Sequence, residues 1–158
     1  MSQGIQLRPV TDTDLPFLAR VYASTRAEEL AVVPWSDEQK EQFLNFQFHA
    51  QHTYYMDQFK GAAFDVIMVA GKPAGRLYVD RRADEIRLVD IALLPTFRGK
   101  GVGSQLIQGL FAEARNLGIP VKIHVEHNNP AMRLYQRLGF TSIDTNGVYM
   151  LMEWTPNS

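Results

Sequence analysis

A glycine-rich segment with two basic residues carries the strongest chemical signal in the sequence, and it runs Arg98-Gly99-Lys100-Gly101-Val102-Gly103-Ser104. It follows an apolar run typical of a strand and opens a run with helical periodicity. The first N–H groups of a helix have no intrahelical partner and carry a partial positive charge. Glycines let the backbone approach an anion closely, and Arg98 and Lys100 add positive charge. This segment is therefore predicted to bind an anion such as a pyrophosphate.

The same segment has a purely structural interpretation, as a turn that only joins a strand to a helix. It is not a Walker loop, because no Gly-Lys-Ser/Thr follows the required spacer. It is not a complete dinucleotide fingerprint either, because Leu106 stands where the third glycine would be. The segment alone leaves the two interpretations open.

The chain before this loop is predicted to begin with a strand and a short helix. Residues 5–10 alternate between apolar and polar types, as a strand does. Residues 11 to about 24 are predicted to be helical, with Thr11 or Thr13 as the N-cap. Pro16 favours Thr13, because proline is best tolerated in the first turn of a helix.

A second helix is expected after a connection at residues 28–35. The run Ser36-Asp37-Glu38-Gln39 is a capping box, which starts a helix with two reciprocal hydrogen bonds. Residues spaced by three or four positions then share one helical face, which we expect to lie in the core: Phe43, Phe46, Ala50 and Tyr54.

The rest of the chain alternates strands and helices. Strands are predicted at 63–70, 74–80, 85–94, 121–125, 140–143 and 148–154. One helix covers 101–117 with Gly118 beyond it; another has Asn129 as its N-cap, Pro130 at its first position and Gly139 at its end. The unit of strand 85–94, helix 101–117 and strand 121–125 is a crossover, so these two strands should be parallel. The sequence thus predicts an α/β protein with a mixed sheet and helices on both faces.

Composition excludes several classes of function. The chain has 158 residues, which we expect to form one domain over 1–158, and a net charge of −1. It has no cysteine, which excludes a disulfide framework and a cysteine nucleophile, and its four histidines form no ligand pair, so no metal is expected. The sequence has no basic stripe, so nucleic acid binding is not expected. It also has no long apolar run and no leader pattern, so we expect no membrane partner and a cytoplasmic location.

Three positions of the loop match the R-x-x-G-x-G/A signature of the GNAT acetyltransferase superfamily, namely Arg98, Gly101 and Gly103. Residues 91–97 resemble the strand that leads into that family's loop. Residues 124–140 resemble its second motif, in which an Asn precedes a helix that carries Leu134-Tyr135 and ends in Gly139-Phe140. The strong part of the resemblance covers residues 85–140, and the order of elements agrees over the whole chain. It implies a GNAT fold with six to seven strands and about four helices.

The resemblance also implies acetyl-CoA as co-substrate. In this family two neighbouring central strands splay apart, and the pantetheine arm enters the gap between them. By position, the strand groups that meet the arm would be the backbones of Ile91, Ala92 and Leu93, while Asn128 would reach it from the other side. The side chains of Ile91 and Leu93 have an ordinary interpretation as core, and Asn128 and Asn129 have one as helix caps.

Transfer of an acetyl group needs a proton for the departing thiolate, a donor for the oxyanion and a neutral amine. Tyr135 resembles the family's general acid, although an aromatic on a buried helix face is the plain alternative. The Leu93 N–H is the implied oxyanion donor. Arg87 stands where many members carry a Glu, so Asp90 is the candidate acceptor-binding or proton-relay group. An ion pair of Asp90 with Arg87 or Arg76 is the alternative, and a water chain to bulk could remove the proton instead.

The implied activity is acetyl transfer by direct attack in a ternary complex, to a primary amine of a small molecule or peptide. The chain could also form a homodimer. Acceptors of the family usually bind between the first two helices and the late strands. The residues expected there are Glu28, Glu29, Trp35, His49, His52, Tyr54, Tyr55, Arg76 and Tyr78. Acidic Glu28 and Glu29 would suit a cationic acceptor. The competing class is a non-catalytic acetyl-CoA-binding sensor.

Overall fold

The computed structural model describes residues 4–127 and 129–156. Seven strands, four helices and two short 3-10 turns follow one another along these residues. The strands are β1 Ile5–Pro9, β2 Ala63–Val69, β3 Lys72–Arg81, β4 Ile86–Leu93, β5 Val121–Glu126, β6 Thr141–Asn146 and β7 Tyr149–Trp154. The helices are α1 Leu15–Ala31, α2 Asp37–Gln58, α3 Val102–Leu117 and α4 Met132–Leu138, and the 3-10 turns are Asp12–Asp14 and Pro95–Phe97.

All seven strands form one mixed sheet in the order β1-β2-β3-β4-β5-β7-β6. The β4–β5 pair, joined through α3, is parallel, and the other neighbouring pairs are antiparallel. The predicted α/β class, the mixed sheet and the parallel crossover are therefore confirmed. No helix within the described ranges is both long and apolar enough to cross a membrane.

Two apolar clusters hold the helices against the sheet. Alternate residues of a strand point to opposite faces, so the neighbours Val66 and Ile67 of β2 belong to different clusters. Ile67 shares a cluster with residues of α3 and α4, and Val66 shares one with residues of α1 and α2, including the fully buried Phe48. Helices consequently cover both faces, as predicted.

A bulge in β4 reverses which residues face which layer. Tyr78 of β3 pairs with Asp90 but the next residue, Val79, pairs with Leu88, so Val89 has no partner in β3. An extra residue of this kind shifts the alternation of all later side chains. Leu88 belongs to the cluster of α3, whereas Ala92, four positions later, packs in the cluster of α1 and α2. The bulge therefore turns Asp90 toward α2.

The N-terminal helix differs from its prediction at both ends. Thr11, not Thr13, is the capping residue, and it caps the 3-10 turn before α1. Its N–H donates to Asp14 Oδ2 at 2.8 Å, and Arg8 pairs with the same carboxylate. This arrangement builds a 3-10 turn, and α1 starts only at Leu15. At the other end α1 continues to Ala31, through half of the predicted connection at 28–35.

The predicted core face of α2 was wrong, although Ser36 caps the helix as expected. Phe46 is 73% exposed and Tyr54 is 57% exposed, whereas Phe48 is 1% exposed. The stripe that faces the sheet is Leu44, Phe48, Gln51 and Tyr55. This face does not follow an apolar pattern because it includes the polar Gln51. Gln51 lies there because it accepts a hydrogen bond from the buried Arg76 of β3.

The start of α4 also differs from its prediction. Asn129 is not the N-cap: its Oδ1 accepts a hydrogen bond from the Ala131 N–H at 2.7 Å, which closes a turn before the helix. Pro130 lies in that turn, and α4 begins at Met132. The two predicted C-terminal glycines, Gly118 and Gly139, do end α3 and α4 in left-handed conformations.

Candidate active site

An opening between β4 and β5 is the central feature of the site. The two strands pair over only three residues, and the last pair is Leu88 with Ile123. Beyond that pair both strands continue, β4 to Leu93 and β5 to Glu126. The edges that face each other there therefore lack the usual ladder of hydrogen bonds, and the expected splay is present.

The alternation of main-chain groups decides which residues of β4 face this opening. The Leu94 N–H donates to the Ala74 carbonyl of β3 at 2.8 Å. Main-chain groups of an antiparallel strand alternate between its two sides, so those of Ala92 also point to β3. The groups of Ile91 and Leu93 point away from β3, into the opening. Of the three residues predicted to contact the pantetheine arm through their backbone, Ile91 and Leu93 therefore face the opening, and Ala92 does not.

The glycine-rich loop lies where β4 gives way to α3. Gly99 and Gly101 have φ of 73° and 83°, a left-handed conformation that favours glycine. A Cβ at either position would have no atom within 4 Å, so the space above the loop is open. The helix begins directly afterwards at Val102, and the N–H groups of its first turn, including those of Gly103 and Ser104, have no intrahelical acceptor. This geometry suits an anion such as a pyrophosphate.

Arg98 holds this loop to two other elements. Its Nε donates to the Leu93 carbonyl at 2.8 Å, and its Nη2 lies 3.2 Å from the Ser24 hydroxyl of α1. The guanidinium thus ties the end of β4 and α1 to the loop, while Lys100 is exposed beside it. Direct hydrogen bonds from Arg98 to phosphate oxygens stay a prediction. They would compete with the hydrogen bonds that Arg98 makes to Leu93 and Ser24.

Tyr135 is placed by α4 in the layer that α3 and α4 form on the sheet. It is 3% exposed and packs edge-on against Phe140, with ring centroids 5.9 Å apart. Burial raises the pKa of its hydroxyl above the ordinary value, and the Asp90 carboxylate raises it further. The phenol therefore keeps its proton throughout the neutral range, as a general acid must. The companion prediction, Asn128, lies outside the described residues.

Asp90 forms an ion pair with Arg76 of β3, which is 3% exposed. The same guanidinium donates to Gln51 Oε1 of α2 at 2.8 Å and lies 5.2 Å from the centre of the Tyr78 ring. The ion pair of Asp90 with an arginine, which was the alternative to a role in proton transfer, is therefore present. Its carboxylate still acts on the site, because it raises the pKa of both Tyr135 and Tyr55 after the larger effect of burial.

The Asp90→Asn variant should lose about 3 kcal/mol of stability, at the lower end for a broken buried ion pair because Asp90 is partly exposed. The change leaves the Arg76 guanidinium buried without its counter-charge. Denaturant unfolding measures the loss, and adding Arg76→Gln should recover part of it. If Asp90 instead relays the amine's proton, kcat/KM per folded molecule will fall and the basic limb of the pH profile will shift, with stability little changed.

A cleft of about 370 Å³ lies where β4 and β5 begin to separate. It lies between the end of α2, the middle of the two central strands and the β6–β7 hairpin, and it is lined by Tyr54, Tyr55, Phe59, Arg87, Leu88, Val89, His124, Asn146 and Tyr149. Its volume and its mixed aromatic and polar lining suit a small molecule or the end of a peptide.

Only Tyr54 and Tyr55 of the predicted acceptor residues line this cleft. His52 stacks on Phe48 at 5.7 Å, and His49 packs edge-on against the same ring. Trp35 belongs to a separate surface pocket with Phe43, and Arg76 and Tyr78 are buried. Glu28 and Glu29 are exposed on α1, where Glu29 pairs with Arg26.

Most of the lining was not predicted from the sequence, notably His124, Asn146 and Tyr149. His124 stands at an outward position of β5, next to the buried Ile123 and Val125, so strand alternation could have signalled it. No sequence signal shows that the β6–β7 hairpin reaches the same cleft as the end of α2.

Comparison with solved structures supports the fold. PaiA N-acetyltransferase from Thermoplasma acidophilum, in complex with coenzyme A, has a TM-score of 0.71 at 20% identity over 96% of this chain and 98% of that chain. The ribosomal-protein-S18-alanine N-acetyltransferase from Escherichia coli has a TM-score of 0.64 at 21% identity over 98% and 95%. A GNAT family acetyltransferase from Elizabethkingia anophelis with acetyl-CoA bound has a TM-score of 0.60 at 18% identity over 96% and 98%.

Sequence comparison identifies the family. The [Ribosomal protein bS18]-alanine N-acetyltransferase of Haemophilus influenzae is 34% identical over 67 residues, which are 42% of this chain and 46% of that protein. The match thus spans less than half the length of that curated relative. The family model described as Acetyltransferase (GNAT) family matches residues 18–140, which include the loop, the opening and Tyr135. The chain therefore belongs to the GNAT acetyltransferase family.

Proposed function

We propose that this chain is an acetyl-CoA-dependent N-acetyltransferase, which moves an acetyl group to a primary amine of a small molecule or peptide. The observation that carries the proposal is the opening between β4 and β5. The glycine-rich loop before α3 lies at one end of it, a cleft lies at the other, and the buried, protonated Tyr135 lies in the layer beside it. A donor and an acceptor can enter it from opposite ends and react directly in a ternary complex.

The residues present fit acetyl-CoA. The open space at Gly99 and Gly101, together with the first turn of α3, suits the pyrophosphate. The main-chain groups of Ile91 that face the opening can pair with the amides of the pantetheine arm, as an added strand would. The Leu93 N–H, which faces the same opening, then remains for the carbonyl oxygen of the thioester. Gly103 faces Ile91 across the same region, where a Cβ would come within 3.9 Å of Ile91 Cδ1.

Acetyl-CoA supplies the acetyl thioester, and the chain's own groups assist its transfer. The amine nitrogen bonds to the carbonyl carbon while the carbon–sulfur bond breaks. The Leu93 N–H donates to the carbonyl oxygen as negative charge develops there. The Tyr135 hydroxyl gives its proton to the leaving sulfur. The proton of the amine leaves through Asp90 or through water to bulk solvent.

The amine-dependent release of free thiol from acetyl-CoA tests the proposal. The panel should include amino acids, polyamines, aminoglycosides and peptides with a free N-terminus, among them an N-terminal alanine, because one relative's name specifies alanine on a ribosomal protein. We expect at least one amine to accelerate thiol release and to gain an acetyl group by mass spectrometry. Tight acetyl-CoA binding without transfer to any amine would instead support the non-catalytic sensor.

We propose a cytoplasmic location on the same basis, because the proposed donor is acetyl-CoA and a chain without cysteine has no disulfide that would need an oxidising compartment. Fractionation of cells that produce the chain at its natural level tests the location. Recovery in a secreted or membrane fraction would contradict it.

A further inference from the structure

The charged lining of the acceptor cleft is cationic. Arg87 is the one formally charged side chain among the residues that line it, and they include no carboxylate. Asp90 is occupied by Arg76, and Glu28 and Glu29 lie elsewhere on α1. The cleft therefore gives no support to a polycationic acceptor.

Arg87 still has hydrogen-bond donors to offer. Its Nε donates to Glu85 Oε2 at 2.9 Å, and its Nη1 lies 3.0 Å from His124 Nδ1. A guanidinium has five N–H groups, so these two bonds leave three donors. Glu85 is itself shared, since Arg82 and Lys122 lie 3.6 Å and 3.5 Å from its carboxylate oxygens. Arg82 and Lys122 also pair with Asp80 and Glu153, so the formal charges of this cluster balance. The three remaining N–H groups of Arg87 are therefore what allows it to bind a further anion.

His124 contributes a further donor. An arginine cannot accept a hydrogen bond, so the contact with Arg87 Nη1 makes His124 Nδ1 the acceptor and leaves the proton of the neutral ring on Nε2. Burial and the nearby Arg87 lower the pKa of His124, which keeps the ring neutral at pH 7. In this form the ring cannot act as a base through Nε2, but it can donate from there.

The rest of the lining is largely aromatic, with Tyr54, Tyr55, Phe59 and Tyr149. Such walls suit an apolar or planar body, and the few polar groups fix its orientation. Arg87 stands four residues before Ile91, and four residues of strand span roughly 13 Å. A group bound at Arg87 is consequently several bonds away from an amine that reacts beside Ile91 and Leu93.

We infer that the acceptor carries an anionic group, a carboxylate or a phosphate, which Arg87 and His124 bind while its amine reaches the opening between β4 and β5. This inference rests on the proposed function and names the acceptor class of the same site. It favours short peptides with a free carboxyl end, or amines with a distant phosphate, over free α-amino acids, whose amine and carboxylate lie too close together.

Matched acceptors test the inference on the wild-type chain. A dipeptide and a tripeptide with an aromatic second residue are compared with their C-terminal amides, and an aromatic amine phosphate is compared with its alcohol. Acetyl transfer is followed by thiol release. We expect kcat/KM to be at least about tenfold higher for one anionic series, mainly through a lower KM. Equal rates for charged and neutral partners would overturn the inference and leave the proposed function standing.

Two variants assign the preference to residues. Arg87→Gln should remove most of the preference for the anionic acceptor, and His124→Phe should reduce it, with affinity for acetyl-CoA unchanged in both. Arg82→Gln is the matched control, because it also removes a cation from Glu85 but does not line the cleft, so it should keep the preference. A preference that survives in Arg87→Gln, or in His124→Phe if the first variant does not fold, contradicts the assignment. Absence of transfer to every acceptor in the wild type would contradict the proposed function itself.

Discussion

Gly101→Glu should weaken acetyl-CoA binding by at least about 100-fold, or roughly 2.7 kcal/mol. The new side chain would fill the open space above the loop and place a negative charge beside the expected pyrophosphate. The left-handed φ of 83° adds a strain of about 1–2 kcal/mol, which a folded domain can tolerate. Isothermal calorimetry with acetyl-CoA measures the loss, and circular dichroism checks the fold.

Two controls separate charge from strain. Gly118→Glu places the same side chain at the other end of α3, in the same left-handed conformation and with the same open space. It should cost similar stability and leave acetyl-CoA binding unchanged. Gly101→Ala adds the strain without the charge and should bind more tightly than Gly101→Glu. Undiminished binding by Gly101→Glu would show that the loop is only a turn between strand and helix.

Tyr135→Phe should lower kcat by roughly 100-fold or more, within the usual range for loss of a general acid. The substitution keeps the ring that packs on Phe140 and removes only the proton donor. Affinity for acetyl-CoA should hardly change, since the ring stays in place. Steady-state kinetics with the best amine of the panel, together with calorimetry, measures both quantities.

The pH dependence gives this prediction a second readout. A donor works while it is protonated, and the pKa of Tyr135 is raised, so wild-type activity should not decline at the ordinary tyrosine value of about 10. Tyr22→Phe is the control, because it removes another buried hydroxyl, which donates to Gln47 at 3.1 Å on the α1–α2 pair. Full activity of Tyr135→Phe at every pH would mean that the thiolate leaves unaided and that Tyr135 serves as core.

The parts of the fold that follow from local chemistry were accessible from the sequence. The Ser36 capping box, the helix ends at Gly118 and Gly139, and the loop from Arg98 to Ser104 each depend on a few neighbouring residues. The parallel β4–β5 pair followed from the order of elements alone. These features need no knowledge of distant contacts, which is why their prediction succeeded.

Features that depend on tertiary contacts were not accessible. The apolar spacing of Phe46 and Tyr54 indicated the wrong face of α2, because the true face includes Gln51, whose partner Arg76 is 25 residues away. The bulge at Val89 has no signature in the sequence, yet it turns Asp90 toward α2. The partner of Asp90 could be named only as one of several arginines until the register of β3 and β4 was known.

The candidate site divides in the same way. The proposed contacts with the cofactor from Ile91 to Ser104 lie on one continuous stretch of chain, so a motif could mark them. The proposed acceptor cleft combines the end of α2, parts of β4 and β5, and the β6–β7 hairpin. Residues from four separate segments meet in this cleft. Of these residues, only Tyr54 and Tyr55 were among the predicted acceptor residues.

A crystal structure of the chain with coenzyme A would show directly whether the opening between β4 and β5 is the cofactor site. The pyrophosphate should lie over Gly99 and Gly101 against the first turn of α3, and the pantetheine arm should bond to the main chain of Ile91 and Leu93 between β4 and β5. The sulfur should then lie within hydrogen-bond reach of the Tyr135 hydroxyl. Coenzyme A bound elsewhere would contradict the proposed cofactor site, and a sulfur far from Tyr135 would contradict the role of Tyr135 as general acid.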